Sequence, residues 1–142
     1  MTPQSSTAIP GFRYKDAKTA VEWLCTVLGF ERHAVFQDEN GVVLHAELTL
    51  GGGMIMVGQE KDDELGRTFK SPASLGGVET CAMCLVVDDV DAVHARAVAA
   101  GAEIVRPLAE TPYGSREFGV KDPEGQSWFV GTYNPWLTKP QG

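Results

Sequence analysis

The stretch from Glu79 to Gly101, ETCAMCLVVDDVDAVHARAVAAG, decides the architecture predicted for this chain. It has the pattern of a strand, an aspartate that can cap a helix, and an alanine-rich helix that ends at a glycine. A weaker copy, FRYKDAKTAVEWLCTVLG, runs from Phe12 to Gly29, and the spacing from aspartate to glycine is the same in both copies. The chain is therefore predicted to contain two related modules.

Three further strands are predicted after the first helix. Residues 32–37 and 42–50 flank a turn at 38–41, a pattern typical of a β-hairpin, and a third strand covers 54–57. Alternation along the second of these strands places one set of apolar side chains on a single face. These are Val42, Leu44, Ala46, Leu48 and Leu50.

The second helix is followed by the same pattern. The first strand covers 102–106 and is expected to end at Pro107, because proline cannot donate to a sheet ladder. Residues 116–121 and 126–133 flank the sequence DPEG at 122–125, which is typical of a tight turn. Each module is thus predicted to be βαβββ.

The predicted fold class is α+β, as one domain over residues 1–142. The modules cover 9–58 and 78–136, and the charged, then serine- and glycine-rich residues 59–77 form a linker and a candidate lid. Each sheet is expected to curl away from its helix, so that two modules placed side by side enclose a cup. A cup between sheets is where a small molecule is expected to bind.

Charge and composition limit the partners. The net charge is -7, and only 12 lysines and arginines are spread along the chain, so nucleic acid is not expected, whereas a cationic ligand would be attracted. No apolar run approaches the ~20 residues of a membrane span, and the first residues do not resemble a signal peptide, so a cytoplasmic location is predicted. Cys81 and Cys84 would point to opposite faces of a strand, so free thiols are expected rather than a CxxC metal site.

Four segments carry a resemblance to a known family. They are YKDAKTAVEWLCTVLGFE, HAELTLGGGMIMVG, VVDDVDAVHARAVAAGAEIV and YGSREFGVKDPEGQSWFVGTY. Together they resemble the vicinal oxygen chelate superfamily, which contains glyoxalases, bleomycin-resistance proteins and extradiol dioxygenases, and in particular its PhnB-like branch. The resemblance implies paired βαβββ modules, a homodimer, and a metal ion bound in each cup by four side chains. The superfamily contains enzymes and non-catalytic drug-binding proteins, so the fold does not give the function.

The family's metal ligands are not matched in this sequence. The four positions that the resemblance implies carry Ile9, Glu47, Ala82 and Phe129, and only the glutamate can bind a metal ion. The usual metal site is therefore predicted to be absent, and no cofactor is expected. A rearranged set of His45, Glu47 and Cys84 remains the alternative.

Other candidate ligand-binding residues come from strand alternation and from the expected rim of the cup. Arg13, His45 and Glu47 would stand around the former metal centre, where the arginine and the glutamate could pair or hold an ionic ligand. Tyr113 and Arg116 flank a glycine in a loop at the rim. Phe129 would supply an aromatic wall.

The main functional prediction is a small-molecule-binding protein of the bleomycin-resistance kind, which binds or sequesters a drug-like or cationic ligand as a homodimer. The alternative is a metal-dependent lyase, isomerase or dioxygenase of the same superfamily with a rearranged ligand set. A further alternative is a metal-free enzyme in which Glu47 or His45 acts as a general base beside Arg13.

Overall fold

The computed structural model describes residues 6–141. Within this range lie two four-stranded sheets, each bearing one helix. The first, sheet A, has the strand order β1-β4-β3-β2, with β1 parallel to β4 and the other pairs antiparallel. Its elements are β1 (Gly11–Tyr14), α1 (Ala17–Trp23, continued by a wider π-type segment Leu24–Leu28), β2 (Glu31–Gln37), β3 (Val43–Leu50) and β4 (Gly53–Gln59).

Sheet B repeats this topology in the order β5-β8-β7-β6. Its elements are β5 (Met83–Val86), α2 (Val90–Ala99), β6 (Glu103–Glu110), β7 (Arg116–Lys121) and β8 (Ser127–Gly131). The predicted α+β class with two βαβββ units is confirmed.

The predicted helix starts are formed by aspartate caps. The side chain of Asp16 accepts a hydrogen bond from the backbone N–H of Thr19 at 3.2 Å, and that of Asp89 accepts one from Ala92 at 3.0 Å. Each bond satisfies one of the free N–H groups of a first helical turn. The first helix ends at Gly29, whose φ of 88° favours glycine.

Strand β3 departs from simple alternation near its start. A register shift against β2 between Phe36 and Gln37 inserts an extra residue, so Val43 is buried and Leu44 is exposed. The prediction that Leu44 shares a buried face with the apolar residues after it was therefore wrong. The alternation is regular only beyond this bulge.

Strand β6 continues past Pro107, contrary to the prediction. The residue pairs Arg106↔Gly119 and Ala109↔Glu117 leave an extra residue on β6, and a second shift lies between Ile104 and Arg106. Because the strand lies at the edge of sheet B and is irregular there, the missing N–H of the proline is tolerated.

Part of the linker 59–77 is fixed to both modules. The backbone N–H of Ser71 donates to Glu60 at 2.7 Å, and its buried hydroxyl donates to Glu124 at 2.7 Å. Glu124 also accepts hydrogen bonds from the backbone N–H groups of Lys15 and Asp16. This carboxylate therefore joins the linker, the start of α1 and the β7–β8 turn.

The two modules pack against each other through their helix-bearing faces. The buried ring of Trp128 on sheet B lies 5.3 Å from Phe12 and 5.9 Å from Phe30, measured between ring centroids. Arg96 of α2 donates through Nε to the carbonyl of Val27 at 3.0 Å. The opposite face of each sheet, here called its open face, is left uncovered by the helices.

Among the described helices, none is both long and apolar enough to cross a membrane.

Candidate ligand-binding site

The open face of sheet A carries a basic ring stacked on an aromatic ring. Glu47 pairs across the sheet with Met56 of β4, and His45 lies two residues earlier on the same face. His45 Nε2 is 3.1 Å from Glu47 Oε2. The imidazole also stacks on Phe36, with 6.0 Å between centroids and 28° between planes. An aromatic ring and a carboxylate thus hold the histidine between them.

The open face of sheet B carries a similar arrangement. The guanidinium carbon of Arg106 lies 5.3 Å from the ring centroid of Phe129, within the range of a cation–π contact. Its Nη1 atom is 3.6 Å from Oε1 of Glu117. The hydroxyl of Tyr113 donates to the same carboxylate oxygen at 2.5 Å. Here too a basic group lies on a phenylalanine ring and beside a glutamate.

Two glycines make room for these side chains on sheet B. A Cβ atom at Gly119 would come within 2.8 Å of the Phe129 ring, and one at Gly131 within 2.8 Å of Glu117 Cβ. Both distances are too short for a real side chain, so any larger residue would displace the groups that cover the glycines. Glycine within a strand often marks such a close approach. On the open face, the Phe129 ring and the Glu117 side chain therefore lie against the two glycines.

The structure brings some predicted site residues together. His45 contacts Glu47, and Cys84 is exposed on β5 directly beside Phe129. Tyr113 bonds to Glu117, and Arg106 lies between that carboxylate and the Phe129 ring. Sequence reasoning missed two members of this group, Arg106 and Glu117. The sequence contained one signal for this group: Gly119 and Gly131 lie within predicted strands, and a glycine there indicates that a neighbouring side chain lies across it.

Two other predicted site residues are engaged elsewhere. Arg13 is 3.5 Å from Asp63 and lies over the Phe69 ring at 5.4 Å, so it pairs with the linker rather than with Glu47. Arg116 forms a two-pronged ion pair with Asp91 of α2, with a shortest distance of 2.9 Å. That pair lies at the helix-bearing side of sheet B, away from the open face.

Three of the four residues at the family's metal-binding positions, Ile9, Ala82 and Phe129, have no donor for a metal ion. Phe129 offers no lone pair, and its ring carries the positively charged guanidinium of Arg106. Within residues 6–141, no three histidine, cysteine, aspartate or glutamate side chains are grouped as metal ligands. The rearranged set is divided, since His45 and Glu47 lie on sheet A and Cys84 on sheet B.

The contact with Glu117 raises the pKa of Tyr113, mainly because the phenol donates a hydrogen bond to the carboxylate. Ionising the phenol would lose that bond and place two negative charges together. In Glu117→Gln the pKa of Tyr113 is expected to fall toward its ordinary value. Phenolate absorbance across a pH titration, with Tyr113→Phe used to assign the signal and Glu110→Gln as the control, tests this. An unchanged titration in Glu117→Gln would contradict the contact.

Comparison with known proteins agrees with the architecture. Residues 8–130 match the model of the Glyoxalase/Bleomycin resistance protein/Dioxygenase superfamily. The chain belongs to this superfamily, which is the group that the sequence resemblance indicated. The narrower assignment to a PhnB-like branch stays a prediction.

The chain is also similar to individual proteins and solved structures. It is 31% identical over 116 residues to the uncharacterized protein Mb0911c of Mycobacterium bovis, covering 82% of this chain and 76% of that protein. TioX from Micromonospora sp. ML1 is also 31% identical, with a TM-score of 0.70 over 92% of this chain and 100% of TioX. A superfamily member from Burkholderia phytofirmans PsJN shares the fold at 18% identity, with a TM-score of 0.65 over 92% and 98% of the two chains.

Proposed function

We propose that this chain is a small-molecule-binding protein that works as a homodimer and sequesters a drug-like ligand. The ligand lies between the open face of sheet A in one copy and the open face of sheet B in the other. The cup predicted from the sequence is then completed by a second chain.

The observation that carries this proposal is the exposed apolar surface on the open faces. Phe36 on sheet A is 56% exposed, and Val86 on sheet B is 44% exposed. Val105, whose methyl group lies near Gly119, adds to the same side of sheet B. Exposed apolar groups rimmed by polar ones are typical of surfaces that bind a ligand or a protein.

The arrangement suits binding better than metal-assisted chemistry. Apolar and aromatic walls would supply affinity, while a few placed polar groups such as Glu47 and Glu117 would fix the orientation of the ligand. Three of the four residues at the family's metal positions lack the donors that the lyase, isomerase or dioxygenase alternative requires.

A metal-free enzyme is supported by one contact only. In such an enzyme, Glu47 would accept a hydrogen bond from His45. This bond would orient the imidazole as a general base requires. Arg13, the third member of that hypothesis, is paired with Asp63. Sequestration therefore remains the function that the geometry supports better.

Thermal shift of the purified protein against a panel of aromatic, drug-like compounds tests the proposal. A ligand present at a hundred times its Kd is expected to stabilise the folded state by about 2.7 kcal/mol. Phe129→Ala should abolish that shift, whereas Glu47→Gln should retain most of it, because packing and not proton transfer is the source of affinity.

Two results would contradict the proposal. One is about one metal ion per chain after incubation with nickel, zinc, iron or manganese and desalting, measured by mass spectrometry and lost in Glu47→Gln. The other is turnover of a bound compound that falls by orders of magnitude in Glu47→Gln. Either result would favour the enzyme alternatives.

A further inference from the structure

We propose that Arg106, held on the ring of Phe129, binds an acidic group of the ligand, so that the ligands of this protein are aromatic carboxylic acids. The inference rests on the proposed function, because it assigns a chemical class to the ligand of the same site. It differs from the expectation of a cationic ligand, which came from the net charge of -7.

In the ion pair between Arg106 and Glu117, the arginine is the member that faces outward. The side chain of Glu117 is only 17% exposed, whereas that of Arg106 is 59% exposed. The Oε1 atom of the glutamate is also occupied, because it accepts the hydrogen bond of Tyr113 and lies closest to the guanidinium. A ligand that approaches the open face of sheet B therefore meets the arginine before the glutamate.

The guanidinium of Arg106 keeps hydrogen-bonding capacity that Glu117 does not use. The separation of 3.6 Å from Glu117 is an ion pair without a hydrogen bond of normal length. An arginine has five N–H donors in a planar fork, which matches the two oxygens of a carboxylate. Arg106 can therefore receive a bidentate carboxylate without leaving the glutamate.

Arg106 is held in place before the ligand arrives. Gly119 lies between Arg106 and Phe129 in the sheet, and the absence of a side chain there lets the guanidinium reach the ring. Holding a flexible side chain in its binding position reduces the entropy lost on association. The exposed apolar residue beside it, Val105, would contact the body of the ligand.

Sheet A repeats the arrangement. The side chain of His45 is 40% exposed and that of its partner Glu47 is 30% exposed, so the basic group is again the outer one. It is stacked on Phe36 as Arg106 is stacked on Phe129.

Long-range attraction from the overall negative charge is screened by salt, whereas a direct contact between the ligand and the guanidinium of Arg106 is screened much less. The local groups therefore decide the ligand's charge.

Three matched probes test the assignment. They are 2-naphthoate, its neutral amide 2-naphthamide, and the cation 2-naphthylmethylammonium, with Kd measured by naphthalene fluorescence on the dimeric protein. The naphthoate is expected to bind about tenfold more tightly than the amide, and the cation more weakly than either. Arg106→Met keeps a long apolar side chain and should remove the preference for the acid. Arg32→Gln, which removes one positive charge from another exposed position, should leave the preference intact.

Gly119→Ala provides a test of geometry without a change of charge. Its Cβ would displace the Phe129 ring, so the naphthoate should lose most of its advantage although Arg106 is still present. The inference is overturned if the amide or the cation binds as tightly as the acid, or if Arg106→Met binds naphthoate like the wild type. If other compounds stabilise the protein but naphthoate does not bind, the ligand class is wrong and the proposed function stands. If the protein is monomeric and no compound stabilises it, both are wrong.

Discussion

Asp122→Ala is expected to lower the free energy of unfolding by about 3 to 5 kcal/mol. The buried carboxylate of Asp122 accepts hydrogen bonds from the hydroxyl of Tyr14 at 2.6 Å and from Nε1 of Trp128 at 3.1 Å. It also accepts the backbone N–H groups of Glu124 and Gln126, both at 3.0 Å. Removing the carboxylate leaves buried donors without partners in the contact between the two modules.

Urea unfolding monitored by circular dichroism measures this effect. Tyr14→Phe is the matched control, since it removes one donor and leaves the other three bonds, and it should cost only about 1 kcal/mol. A loss of stability in Asp122→Ala no larger than that of the control would show that the carboxylate does not organise this contact.

Burial also raises the pKa of Asp122, and the hydrogen bonds that it accepts offset part of that increase. A carboxyl group whose pKa is higher in the folded than in the unfolded state favours folding when protonated. The contribution of the protonated carboxyl to folding stability is complete below the ordinary aspartate pKa, and it is lost as pH rises through the pKa of Asp122 in the folded state. The difference in free energy of unfolding between the wild type and Asp122→Asn should therefore grow in favour of the wild type as pH falls from 7 into the acidic range. A difference that shrinks as pH falls would contradict this prediction.

Val86→Glu is expected to weaken the proposed homodimer by at least about a hundredfold in Kd. Val86 is 44% exposed on the open face of sheet B, in the row that contains Gly131 and Glu117. In the proposed dimer a second chain covers this row, so the new carboxylate would be buried beside an existing one. Burial of an unpaired charge next to a like charge opposes association.

Val98→Glu is the matched control for this prediction. Val98 is 55% exposed on α2, and the same substitution there adds the same charge outside the open faces. Sedimentation velocity over a range of concentrations should show dimers for the wild type and the control and monomers for Val86→Glu. A monomeric wild type, or equal dissociation of both variants, would reject the proposed assembly.

Local sequence rules were sufficient for the order of helices and strands, for the helix ends and for part of the candidate site. The caps at Asp16 and Asp89 and the glycine stop at Gly29 depend on residues within one helical turn, so each could be predicted separately. The positions of His45 and Glu47 on one face followed from alternation, because β3 is regular beyond its bulge.

Arg106 shows why the other half of the site was missed. Ile104 packs toward the helix-bearing face of sheet B, so strict alternation would place Arg106 there as well. The register shift between them adds a residue and turns Arg106 to the open face, where it meets Phe129. This bulge depends on the pairing of β6 with β7, and no residue pattern within β6 alone indicates it.

The sequence by itself determined two βαβββ modules, their helix ends, and the lack of metal donors at three of the four family positions, because these follow from residue types at short spacings. The tertiary structure decided that the modules meet through their helix-bearing faces, around Trp128, Phe12 and Phe30. It also decided that Arg13 and Arg116 pair with Asp63 and Asp91. Such choices depend on which distant surfaces bury the most apolar area and pair the most charges, and that comparison can be made only in three dimensions.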